Sequence, residues 1–202
     1  MRNGNCYDSL ERCKEYYLDF QPKELSVCLK DIFETLIKNA QIRDQWTFTW
    51  TSTSNCVELQ AVSVKQNHEY TLRLFGGKIY IESDLFSPQY IKYVSSEFWA
   101  ILSELDLIEG FMFRSNADIS DIGSFDTKAG RSSTYQIVRN FVLLEEHKPD
   151  STIDLGCLEV SWDLSKTVQE IQESCVGAIK GIHRLNYLLY RLQYQSLKRQ
   201  KA

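Results

Sequence analysis

WTFTWTSTSNCVELQAVSVKQNHEYTLRLFGGKIYI, residues 46–81, is the stretch that decides the fold class. Its first residues alternate, with Trp46, Phe48 and Trp50 on one face of a strand and Thr47, Thr49 and Thr51 on the other. A turn at 52–55 leads into a second strand over 56–65. There the alternation slips between Ala61 and Val62, which predicts a bulge. Gln66-Asn67-His68 turns the chain into Tyr70, Leu72 and Leu74, and Gly76-Gly77 is a two-residue hairpin signal before Ile79 and Ile81. Four strands joined by such short links form an antiparallel meander.

Working outward, the N-terminal side reads as helical. Residues 5–18 predict a short helix with Leu10, Cys13 and Tyr17 on one side. Pro22 suits the first turn of a firmer helix to about Asn39, whose core stripe is Leu25, Cys28, Leu29, Ile32, Phe33, Leu36 and Ile37. On the other side, Ser87-Pro88 reads as N-cap and first turn of a helix through Ile91, Val94, Phe98, Ile101, Leu102, Leu105 and Ile108, stopped by Gly110. Short strands are expected at 111–113, 134–144 and 157–163. The predicted order is helix, four strands, helix, two or three strands, helix. Helices segregated from an antiparallel sheet place the chain in the α+β class. Residues 1–21 read as an N-terminal segment and residues 22–202 as a single domain.

The final helix, about 165–197, is the longest element. Val168, Ile171, Cys175, Ala178, Ile182, Leu185, Leu189 and Leu192 recur at steps of 3 and 4, a heptad seam. About 33 residues at ~1.5 Å each make a rod of about 50 Å. Asp163 or Ser165 is the expected N-cap, and Thr167 with Glu170 matches a capping box. Away from the seam, His183, Tyr187, Tyr190 and Tyr194 repeat at steps of 4, 3 and 4, so this half needs cover on two sides. The cover comes either from this chain, with Tyr16, Tyr17, Leu18 and Phe20 as first candidates, or from a partner protein or second copy. Gly177 and Gly181 permit close helix packing, but Glu170, Glu173, Lys180 and Arg184 rule out a membrane span.

Composition narrows the function classes. An apolar share of 43% with 12% aromatic residues excludes general disorder, and a formal charge of −4 provides no overall basic field for nucleic acid. Arg184, Arg191, Lys198, Arg199 and Lys201 interleave with tyrosines at the C-terminal end, too few to make nucleic acid the expected partner. Six cysteines without a C-x-x-C pair, and an N-terminus lacking a signal-peptide run, predict a reduced cytoplasmic protein.

No catalytic constellation stands out. His68, His147 and His183 lie in separate elements without ligand spacing, so no metal site is expected, and no cofactor motif occurs. The most enzyme-like neighbourhood is the aperiodic stretch 115–133 with its flanks. There Arg114, Asp118, Asp121, Asp126, Arg131 and Arg139 have the chemistry to grip a phosphorylated or carboxylated ligand.

Over about residues 23–197 the order of helix, meander, helix, two strands and helix resembles that of type III secretion chaperones and their relatives. The resemblance rests on element order. It implies an acidic, cytoplasmic, often dimeric protein that binds another polypeptide without chemistry. The expected function is therefore protein binding, of chaperone, adaptor or toxin-neutralising immunity type, through His183, Tyr187, Tyr190 and Tyr194. A small enzyme or ligand sensor using 114–139 is the alternative.

Overall fold

Strict alternation builds the meander. The computed structural model describes residues 6–115, 132–147, 155–166 and 168–200. Strands β1 (Trp46–Ser52), β2 (Cys56–Ser63), β3 (Glu69–Phe75) and β4 (Lys78–Asp84) pair antiparallel in sequence order. Val57, Leu59 and Ala61, then Tyr70, Leu72 and Leu74, then Ile79 and Ile81 all point to one buried face. Gly76 and Gly77 have φ of 57° and 73°, the left-handed pair that a tight two-residue hairpin requires.

The bulge expected in β2 is absent. Pairing runs unbroken from Trp46 opposite Ser63 to Ser52 opposite Val57, and burial alternates without a slip. Ala61 and Val62 are both apolar, but Val62 lies on the outer face; an apolar residue does not have to be a core residue.

Among the described residues the strand order is β1-β2-β3-β4-β6-β5, with β5 at Phe111–Ser115 and β6 at Gly156–Asp163. Among the described residues five α-helices accompany the sheet: α1 (Cys6–Leu18), α2 (Pro22–Asn39), α3 (Ser96–Leu105), α4 (Ser133–His147) and α5 (Val168–Gln200). This is the α+β architecture read from the sequence, ending in the long helix.

Two compact units make up these residues. The first comprises 1–82 and 160–180, the second 83–159 and 181–202. In the first, α2 turns Leu25, Cys28, Leu29, Ile32, Phe33, Leu36 and Ile37 onto the meander. The Phe33 ring meets Trp46 at 5.1 Å, Tyr70 at 5.6 Å and Phe48 at 6.0 Å between centroids. Segment α1 packs on α2 with Leu10 and Cys13 buried and Arg12 paired to Asp31 at 2.9 Å. The Tyr17 hydroxyl accepts a hydrogen bond from the Gly77 amide at 2.9 Å.

Tyr70 is wholly buried, and among the described residues its hydroxyl has no hydrogen-bond partner. Burial, with Asp44 adding to it, pushes the phenol far above its ordinary pKa. A buried hydroxyl without a partner costs about 1–3 kcal/mol. Tyr70→Phe is therefore expected to raise stability by about 1 kcal/mol, read as a higher urea midpoint at unchanged slope. A lower midpoint would show that the hydroxyl does have a partner.

In the second unit two readings are corrected. The stretch 134–144, expected as a strand, is the core of α4. Its β-branched and aromatic residues suggest extended chain, but the buried positions Ile137, Phe141 and Leu144 return at helical steps of four and three. The helix expected from Ser87 to Gly110 is also interrupted. A 3-10 turn covers Pro88–Tyr93, Val94 is extended at ψ 150°, and α3 starts only at Ser96. Ser87 adopts a left-handed conformation and makes no side-chain cap. The serine pair at 95–96 favours a second helix start over continuation.

Candidate functional site

The C-terminal half of α5 carries the candidate face. Its seam is buried at Ile171, Cys175, Ala178, Ile182, Leu185 and Leu189, and Leu192 is half-buried. Thr167, the expected capping-box serine-like partner of Glu170, lies outside the described residues, as does the side chain of Val168. Upstream, the Ser165 hydroxyl and then the Ser165 amide, which donates to Asp163 Oδ1 at 2.8 Å, hold the Asp163 carboxyl below its usual range.

Within the second unit, Gly181 explains half of the G-x-x-x-G spacing. A Cβ placed there would lie 2.7 Å from Leu105 Cδ2, so any other residue would require the Leu105 side chain to shift. Gly177 is exposed. One turn on, Asn186 is fully buried between the apolar seam residues. Its Oδ1 accepts the Phe86 amide at 2.7 Å and its Nδ2 donates to Ser83 Oγ at 3.2 Å.

The tyrosine side is partly covered by this chain. Tyr190 packs on Phe86 at 6.1 Å and stacks on Tyr194 at 6.3 Å with nearly parallel rings. Tyr187 lies beneath the Arg184 guanidinium at 5.5 Å, and Arg184 is held by Glu97 at 2.6 Å. His183 is half-buried. Tyr194 remains 50% exposed under the Lys198 ammonium, and Leu197 is exposed beside it in the sequence. The four residues lie along one side of the helix, with His183, Tyr187 and Tyr190 half-buried and Tyr194 exposed.

On the adjacent side of α5 lies a groove the sequence did not reveal. Tyr93, Val94 and Ser95 face Leu188, Arg191, Leu192 and Gln195 across about 160 Å³. Small-molecule sites run to roughly 300–1,000 Å³. This volume suits a single inserted side chain better than a drug-sized ligand. Tyr93 at its rim is 63% exposed.

The charged neighbourhood resolves differently. Asp118, Asp121, Asp126 and Arg131 lie outside the described residues. Arg114 on β5 reaches across to β6, where Nη1 meets Glu159 Oε2 at 3.2 Å and Nη2 meets Cys157 Sγ at 3.5 Å. Arg139 is on α4 and donates to Asn140 Oδ1 at 3.4 Å. Burial pushes the Cys157 thiol up despite Arg114, so it stays protonated near neutral pH. Cys28 is drawn below its ordinary value, first by a hydrogen bond from Cys13, but both thiols are shut away from reagents.

Among the described residues no cluster of three or more His, Cys, Asp and Glu side chains is placed to hold a metal, and no helix is long and apolar enough to cross a membrane. Against known protein families, curated proteins and solved structures, the chain finds no match.

Proposed function

We propose that this protein is a non-catalytic, cytoplasmic protein-binding domain of chaperone, adaptor or immunity type, acting through the C-terminal half of α5. The observation that carries the reading is the pairing of exposed aromatic surface with a groove the size of one side chain. Tyr194 and Tyr93 offer large apolar area with polar tips, Leu197 adds exposed aliphatic area, and the groove beside Leu188 and Leu192 has room for a partner's anchor residue. Cys28, Cys56 and Cys157 are free thiols, in keeping with a reducing compartment. Of the residues in the ligand-binding alternative, Arg114 already engages Glu159 and Cys157.

Changing Tyr187, Tyr190 and Tyr194 together to Ser is expected to weaken association with a protein partner at least tenfold while the fold survives. Tyr190 has Phe86 to lose, so a stability loss of about 1 kcal/mol accompanies it. The measurement is affinity purification from the native cells, wild type beside variant, with the helical signal followed by circular dichroism. A partner bound equally by both proteins would overturn the reading. An unfolded variant would show the stripe to be core.

A further inference from the structure

We infer that the free edge of β1 pairs with β1 of a second copy, antiparallel about a two-fold axis at Phe48, to give a homodimer. The inference uses none of the residues of the α5 face and does not rest on the function proposed above.

The argument starts from position. β1 ends the sheet order, so among the described residues one of its edges has no strand beside it. Which backbone groups face that edge follows from the ladder. Val64 N donates to Gln45 O, and Thr53 N donates to Cys56 O. Hydrogen-bonding direction alternates along an antiparallel strand, so the amides and carbonyls of Thr47, Thr49 and Thr51 face β2. Those of Trp46, Phe48, Trp50 and Ser52 face outward.

Natural edge strands are blunted by charge, proline, a bulge or shortness. β1 has none of these. It is seven residues long, WTFTWTS, without a charged residue or a proline, and its pairing with β2 is regular. Trp50 is 47% exposed, and Thr47, Thr49 and Thr51 are exposed too. Helix α2 lies mainly over β2, leaving the aromatic face of β1 only half-covered.

What selects a second copy as occupant is the symmetry of the sequence. Trp46-Thr47-Phe48-Thr49-Trp50 reads the same in both directions. Antiparallel pairing centred on Phe48 sets Phe48 opposite its own copy, Trp46 opposite Trp50 and Thr47 opposite Thr49. All three outward-facing residues then fall at hydrogen-bonded positions, which is the parity the ladder demands. Aromatic pairs meet on one face and threonine pairs on the other, both favourable cross-strand combinations. A two-fold contact must be self-complementary, and this strand is. A single strand edge is a small interface, so the dimer is expected to be concentration-dependent.

The test uses the full chain in sedimentation equilibrium across a concentration series, with circular dichroism and thermal melting on each variant. Wild type is expected to show a monomer–dimer equilibrium. T47K/T49K places lysines directly opposite each other in the paired strands, on an exposed face, and is expected to weaken dimerisation at least tenfold without unfolding. T47K/T49E places opposite charges there and is expected to restore the dimer. W50P removes an outward amide that no described strand uses, and is expected to abolish the dimer. A monomeric wild type at all concentrations overturns the inference. So does a dimer unaffected by T47K/T49K, which would lie elsewhere, or a folded T47K/T49E that stays monomeric, which would exclude this register.

Discussion

Arg114→Ala is expected to destabilise the protein by about 3 kcal/mol, and Glu159→Gln in the same chain to recover more than half of that. The Glu159 side chain is only 6% exposed, whereas that of Arg114 is 48% exposed. Removing the cation strands a buried carboxylate, which typically costs about 3–5 kcal/mol. Water reaching the half-exposed guanidinium screens the pair, so the lower end applies. Glutamine keeps the shape of the acid without its charge, so the double variant loses only packing and a hydrogen bond. Urea unfolding of the two single variants and the double variant measures the coupling directly. Additive losses would mean that Glu159 is satisfied without Arg114.

Asn186→Ala is expected to cost about 2–3 kcal/mol. It removes the acceptor of the Phe86 amide and the donor to Ser83 Oγ, and leaves a cavity in a fully buried position. For a chain of 202 residues each kcal/mol lowers the melting temperature by roughly 2–4 °C, so a fall of about 5–10 °C is the expected readout. Asn186→Leu refills the volume but not the hydrogen bonds, and is expected to remain at least 1 kcal/mol below wild type. A leucine variant as stable as wild type would show that packing, not hydrogen bonding, is what Asn186 contributes.

Both residues escaped the sequence reading for one reason. Asn186 interrupts an otherwise apolar helix face, and Glu159 sits in a strand whose neighbours Leu158 and Val160 are buried. Either would read as an ordinary polar residue facing water. Their partners are 45 residues away or more: Arg114 for Glu159, and Phe86, at a separation of 100, for Asn186. The tyrosine stripe fared in the opposite way. Its spacing was plain, but Phe86, which packs against Tyr190, lies between Ile81 and Ser87, where the sequence pattern assigns no element.

The sequence alone determined the meander, the two N-terminal helices and the long final helix with its buried seam. Each is a repeat of two or of three to four residues within one segment, and such periods record which face is buried. Only the tertiary structure decided that 134–144 is helix, where propensity and period pointed to different states. Asp106 supports that outcome by accepting the Ser133 amide at 3.0 Å, at the start of α4. It alone also placed the groove beside Leu188 and Leu192 and, among the described residues, left one edge of β1 without a neighbouring strand. Those features depend on which surfaces meet, and that is set by contacts between segments far apart in the chain.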